Sequence, residues 1–139
     1  MSYQDFTIML VDDEPAILKA LKRLIRKLKC TIITSDSPLE ALDILKESPV
    51  DIVISDMKMP EMSGDVFLLE VLKNHPQTER IILSGYADSE SIENALRNSK
   101  VSYFLHKPWE DKEVINAIEI ILNDLSKTDR NMNIDTKSE

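Results

Sequence analysis

Two rhythms of apolar residues alternate along this chain. Short, nearly continuous runs occur at Thr7–Val11 (TIMLV), 31–34 (TIIT), 51–55 (DIVIS), 80–83 (RIIL) and 101–105 (VSYFL). Such β-branched runs suit strands buried on both faces, as in a parallel sheet. Between them, apolar residues recur every three or four positions, the period of a helix with one buried stripe.

The first such stretch is Ile17, Leu18, Leu21, Leu24, Ile25 and Leu28, with Pro15 well placed as the first helical residue. Ser37 and Glu40 around Pro38 form a capping box that opens a second helix, which packs Ala41, Leu42 and Leu45 to about residue 47. A third helix, about 64–75, turns Phe67, Leu68, Val71 and Leu72 inward, and Pro76 closes it. Asp88 can cap a fourth helix through Asn98; its apolar content, Ile92, Ala95 and Leu96, is thin, so it is expected to be the least firmly held.

A fifth helix, about 111–125, carries Val114, Ile115, Ile118, Ile121, Leu122 and Leu125 in one stripe. Ile120 falls on the opposite side, which is ordinary for a single isoleucine. Beyond it, SKTDRNMNIDTKSE has little to bury except Met132 and Ile134, so residues 126–139 read as a frayed helix end and then a tail or linker start. The domain proper is expected over 1–125.

Strands and helices alternating through short connections specify an α/β fold, a doubly wound five-stranded parallel sheet with five helices. The carboxyl ends of its strands share one edge, where open α/β sheets bind ligands.

Length and charge narrow the function. The 139 residues suffice for one domain with a proper core. With 25 acidic against 17 basic residues, the net charge of −8 argues against general affinity for nucleic acid or anionic membrane. The first helix nevertheless carries Lys19, Lys22, Arg23, Arg26 and Lys27 on one face; such a face is usually just solvated, with docking of an acidic partner as the minority reading. The single Cys30 excludes an intrachain disulfide and fits a reducing cytoplasm. No apolar run exceeds four residues, so nothing resembles a signal peptide or a transmembrane span. Gly64 and Gly85 are too few for a glycine-rich phosphate cradle, so any phosphate chemistry must use side chains.

The residues that end the strands carry the candidate chemistry: Asp12 and Asp13, Asp56, Ser84, and Lys107. Taken alone, Asp56 is more often a cap for the following helix than a ligand. Together the carboxylates repel, each pair by about 4 kcal/mol at ~4 Å and an effective dielectric of about 20. Lys107 offsets one charge. A hard divalent cation offsets the rest, and few carboxylates plus water suit Mg2+. A cation, a lysine and a hydroxyl around a carboxylate are what phosphoryl transfer to an aspartate requires.

These motifs resemble the receiver domains of two-component response regulators. The matching residues are Asp12 with Asp13, Asp56 with Pro60 and Gly64, Ser84 with Gly85, and Lys107 with Pro108, spanning about Thr7 to Leu125. The resemblance implies a flavodoxin-like strand order of 2-1-3-4-5. It implies that Asp56 accepts a phosphoryl group from a histidine kinase, and that Asp12, Asp13, Asp56 and the Lys58 carbonyl hold Mg2+. By the same likeness Lys107 pairs with the phosphoryl group, the Ser84 hydroxyl moves to bond it, and Phe104 is the switch aromatic that follows. The Lys107–Pro108 bond is expected to be cis. The switched surface is helix four, strand five and helix five.

The implied partners are a sensor histidine kinase or phosphotransfer protein and an output domain or partner protein; a homodimer is open. LSGYAD followed by KPW looks closest to receivers coupled to larger outputs, such as cyclic-di-GMP phosphodiesterases or transcriptional activators. Residues 98–102 lack the Gly-Ala pair common before strand five, His106 reads as a rim side chain, and Lys58 and Tyr86 flank the phosphoryl entrance. Two other readings compete. A phosphatase with an aspartyl-phosphate intermediate is disfavoured by Glu14, where such enzymes carry a second aspartate. A phosphorylation-independent pseudo-receiver is disfavoured by the intact set of site residues.

Overall fold

A computed structural model describes residues 3–85 and 89–138. Strands β1 (Thr7–Val11), β2 (Thr31–Ser35), β3 (Ile52–Ser55), β4 (Glu79–Ser84) and β5 (Tyr103–His106) form one parallel sheet in the order β2-β1-β3-β4-β5. Helices α1 (Pro15–Ile25), α2 (Pro38–Glu47), α3 (Gly64–Asn74) and α4 (Ser89–Asn98) connect them, and α5 (Asp111–Ser138) follows β5.

Successive strand residues point to opposite faces, so an unbroken apolar run feeds two cores. Ile8, Leu10, Ile52, Ile54, Ile81 and Leu83 join the stripes of α1 and α5 on one face. Met9, Val11, Val53 and Ile82 meet Ala41, Leu45, Phe67, Leu68 and Val71 on the other. Among the described residues of α4 only Ala95 is buried in this second core, while Leu96 is exposed, as the thin apolar content of that helix implies.

The ends of elements depart from the pattern where hydrogen bonds, not hydrophobicity, decide them. A 3-10 turn at Arg26–Leu28 finishes the first stripe, and Lys29 in the left-handed region (φ 61°) stops it. β5 begins two residues later than the apolar run, because the Val101 N–H still turns back to the α4 carbonyl of Ala95. The capping box at α2 forms by half: Ser37 Oγ accepts the Glu40 N–H, but the Ser37 N–H donates to Ser35 Oγ.

The end of the last helix lies further along than expected. α5 does not stop near Leu125 but continues to Ser138. Residues 126–138 contain no proline or glycine, so nothing local stops the helix even where little remains to bury. The expected Asp88 cap lies outside the described residues.

Candidate functional site

β1 and β3 pair with Val11 opposite Ser55, so the next residues, Asp12 and Asp56, leave the sheet side by side. This is where the strand order reverses, between β1 and β3. Both carboxylates are buried, Asp12 at 3% and Asp56 at 6% exposure, and Asp13 stands half-buried beside them. Among the described residues these three form the one acidic cluster able to hold a metal, with a carboxylate oxygen from each lying within 4.8 Å of the others.

Lys107, one residue beyond β5, reaches across to both strands. Its Nζ lies 2.7 Å from Asp12 Oδ2 and 3.3 Å from Asp56 Oδ2. The Lys107 N–H donates to the Ser84 carbonyl, which fixes the root of the lysine to β4. Burial pulls its ammonium down, but Asp12 and Asp56 outweigh that and hold it above the ordinary lysine value. Burial likewise pushes the Asp12 carboxyl up, against the opposing pull of Lys107 and of the Glu14 N–H. The Lys107–Pro108 bond is cis.

The remaining oxygens are aimed by backbone. Asp12 Oδ1 accepts the Glu14 N–H at 2.9 Å, and Asp56 Oδ1 accepts the Met57 N–H at 2.7 Å. The former is an Asx turn, and Asp-Asp-Glu at a strand end was its signal in the sequence. Buried Met57 and Met59 anchor the β3–α3 loop, leaving Lys58 and Pro60 exposed along a cleft of about 500 Å³. Asp13, Asp56, Ser84 and Lys107 line the same cleft.

Gly64 closes the loop, donating its N–H to the Met57 carbonyl at 2.7 Å. A Cβ on Gly64 would lie 2.0 Å from the Asp56 carbonyl oxygen, so no other residue fits without moving the backbone of Asp56.

The structure therefore brings together Asp12, Asp13, Asp56, Lys58, Ser84 and Lys107. Ser84 is fully buried on the β4 face that also carries Ile82. On neighbouring β5, Phe104 opposite Ile82 is half-buried, and its ring centroid lies 5.4 Å from that of His106, which is opposite Ser84. His106 is exposed at the rim. Tyr86 lies outside the described residues.

Two residues went unread in the sequence. Arg80 is 6% exposed, and its guanidinium donates to the carbonyls of Thr78, Ser99 and Lys100. Ser99, also buried, donates its hydroxyl to the Asp65 carbonyl at 2.9 Å. The one available signal was a charged residue at the head of an otherwise apolar strand.

The model of the response regulator receiver domain family matches residues 8–119. The chain belongs to this family. The receiver is 33% identical over 118 residues to the hydrogenase transcriptional regulatory protein HoxA of Cupriavidus necator, covering 85% of this chain and 24% of that protein. It thus spans about a quarter of the length of that relative. Among solved structures, the signal receiver domain of an HD domain-containing protein from Pseudomonas fluorescens superposes with a TM-score of 0.84 at 32% identity, over 87% of this chain and 97% of that one. An uncharacterized protein from Neptuniibacter caesariensis gives 0.82 at 52% identity, over 88% and 90%. Receiver domains are regulatory phosphoacceptors of two-component signalling. No helix among the described residues is long and apolar enough to cross a membrane.

Proposed function

We propose that Asp56 is the phosphoacceptor of this receiver and that Asp12, Asp13, Asp56 and the Lys58 carbonyl form its Mg2+ site. The observation that carries the reading is the Lys107 ammonium held against both Asp12 and Asp56 at the point where the strand order reverses. The donor set fits the ion: Asp12, Asp13 and Asp56 each offer a hard carboxylate oxygen, and these lie within 4.8 Å of one another. When bound, the ion neutralises charge on the phosphoryl oxygens.

In the transfer, an Asp56 carboxylate oxygen attacks phosphorus in line as the P–N bond of a phosphohistidine breaks and the leaving imidazole takes up a proton. The Met57 N–H orients the Asp56 carboxylate, and Lys107, freed from its direct grip on Asp56, pairs with the incoming phosphoryl oxygens. The Ser84 hydroxyl is the next donor to them. Phe104, on the face shared with Ser84, follows that movement and alters the α4–β5–α5 surface. The donor is a histidine kinase or phosphotransfer protein in the cytoplasm, and the recipient of the signal is an output domain or partner protein.

Acetyl phosphate or beryllofluoride with Mg2+ tests this. The protein gains one phosphoryl mass with the former and changes Trp109 emission with the latter; Asp56→Asn does neither. If the unmodified protein and Asp56→Asn respond alike, the reading fails.

A further inference from the structure

Arg80 is a buried arginine whose guanidinium donates to backbone carbonyls. Burying a guanidinium at 6% exposure costs free energy, which these backbone hydrogen bonds and the neighbouring Glu79 charge offset. Its Nε donates to Ser99 at 2.9 Å and its Nη2 to Lys100 at 3.1 Å, while Nη1 holds Thr78. It therefore fixes the α4–β5 loop to β4. Lys100 sits in the left-handed region (φ 48°), where the chain turns from α4 into β5.

Arg80, Ile82 and Ser84 are alternate residues of β4 and stand in one row on one face of the sheet, with Ser84 at the carboxyl end. The loop that Arg80 holds is tied on its other side to α3. The Ser99 hydroxyl donates at 2.9 Å to the carbonyl of Asp65, in the first turn of that helix. That turn rests on the phosphoacceptor itself: Gly64 bonds the Met57 carbonyl and leaves no room for even a methyl group against the Asp56 carbonyl.

We infer that Ser99, held in place by Arg80, is a positioning residue of the phosphoacceptor site. Its hydroxyl joins the first turn of α3, which packs on Asp56, to the α4–β5 loop, which Arg80 ties to β4 and so to the strand that carries Ser84. The inference rests on Asp56 being the phosphoacceptor. It adds a connection through α3 that is separate from Ser84 and Phe104. Phosphorylation that moves these two segments relative to each other would change the strength of this bond, and by linkage its removal would then change the affinity for whatever selects between the two states.

The test is the affinity of the full chain for beryllofluoride in saturating Mg2+, read from Trp109 emission, for the unmodified protein, Ser99→Ala and Ser99→Thr. Thermal unfolding is recorded alongside. Ser99→Ala is expected to change the affinity at least threefold, and Ser99→Thr, which keeps the hydroxyl, to return it to within twofold of the unmodified protein. A change below threefold in Ser99→Ala, whatever its melting temperature, makes the bond mere glue and overturns the inference, as does failure of Ser99→Thr to recover the affinity. Absence of any response in the unmodified protein is a different result: it removes the phosphoacceptor reading itself.

Discussion

Gly64 stands so close to Asp56 that the side chain of any other residue would begin inside the Asp56 carbonyl group. The first residue of α3 thereby sets the backbone of the site residue, and the glycine is a matter of space, since its φ is not positive. Gly64→Ala should cost about 3 kcal/mol, the upper part of the range for forcing atoms into a packed position. Gly85→Ala should stay within about 0.5 kcal/mol, because the added carbon would meet Lys107 Cβ at an ordinary 3.6 Å. Urea unfolding of both variants checks the contrast.

Asp12→Asn relieves a buried carboxylate whose proton burial already favours. Without Mg2+ the variant should be more stable than the unmodified protein at neutral pH by about 1 kcal/mol. Adding Mg2+ at ten times its dissociation constant should stabilise the unmodified protein by about 1.4 kcal/mol and the variant by far less. Melting curves with and without the ion decide it.

Lys107→Ala removes the ammonium that touches both Asp12 and Asp56. One fewer competing cation should tighten Mg2+ binding by about tenfold, or ~1.4 kcal/mol, which lies between the bulk-water and partly buried values for a single charge at about 4 Å. Phosphorylation by acetyl phosphate should slow at least tenfold, since the incoming oxygens lose their partner. Opposite movements of the two quantities are the signature; calorimetry and phosphoprotein mass measure them.

Tyr3 offers a pH test far from the metal site. Its hydroxyl lies 3.2 Å from Glu119 and 3.1 Å from Asn123 on α5, and burial, with Glu119 beside it, raises its pKa above the ordinary value of about 10. A raised pKa means that the folded chain holds the proton longer than the unfolded one. The Tyr3 contribution is thus complete below pH ~10 and is lost as pH rises through the raised folded value. Tyr3→Phe should cost about 1 kcal/mol at pH 7 and show a shallower loss of stability above pH 10.

The sheet and its edge chemistry were legible because both depend on residue type at short range. Runs such as IVI and RIIL have to be buried on two faces, and charges that end them, Asp56 and Lys107, have to meet wherever parallel strands share an edge. What the sequence hid depends on three-dimensional partners. Arg80 looks like an ordinary strand residue until Thr78, Ser99 and Lys100 turn their carbonyls toward it. The length of α5 was underread for the opposite reason: the apolar stripe ends at Leu125, but helix continuation asks only that nothing break it.

That length gives the molecule a lever. At 1.5 Å per residue, the 28 residues of α5 extend about 42 Å from a base four residues beyond Lys107. A tilt of only about 3° at that base displaces the far end by roughly 2 Å, so an angular change too small to repack the core becomes a translation that a contacting surface can register.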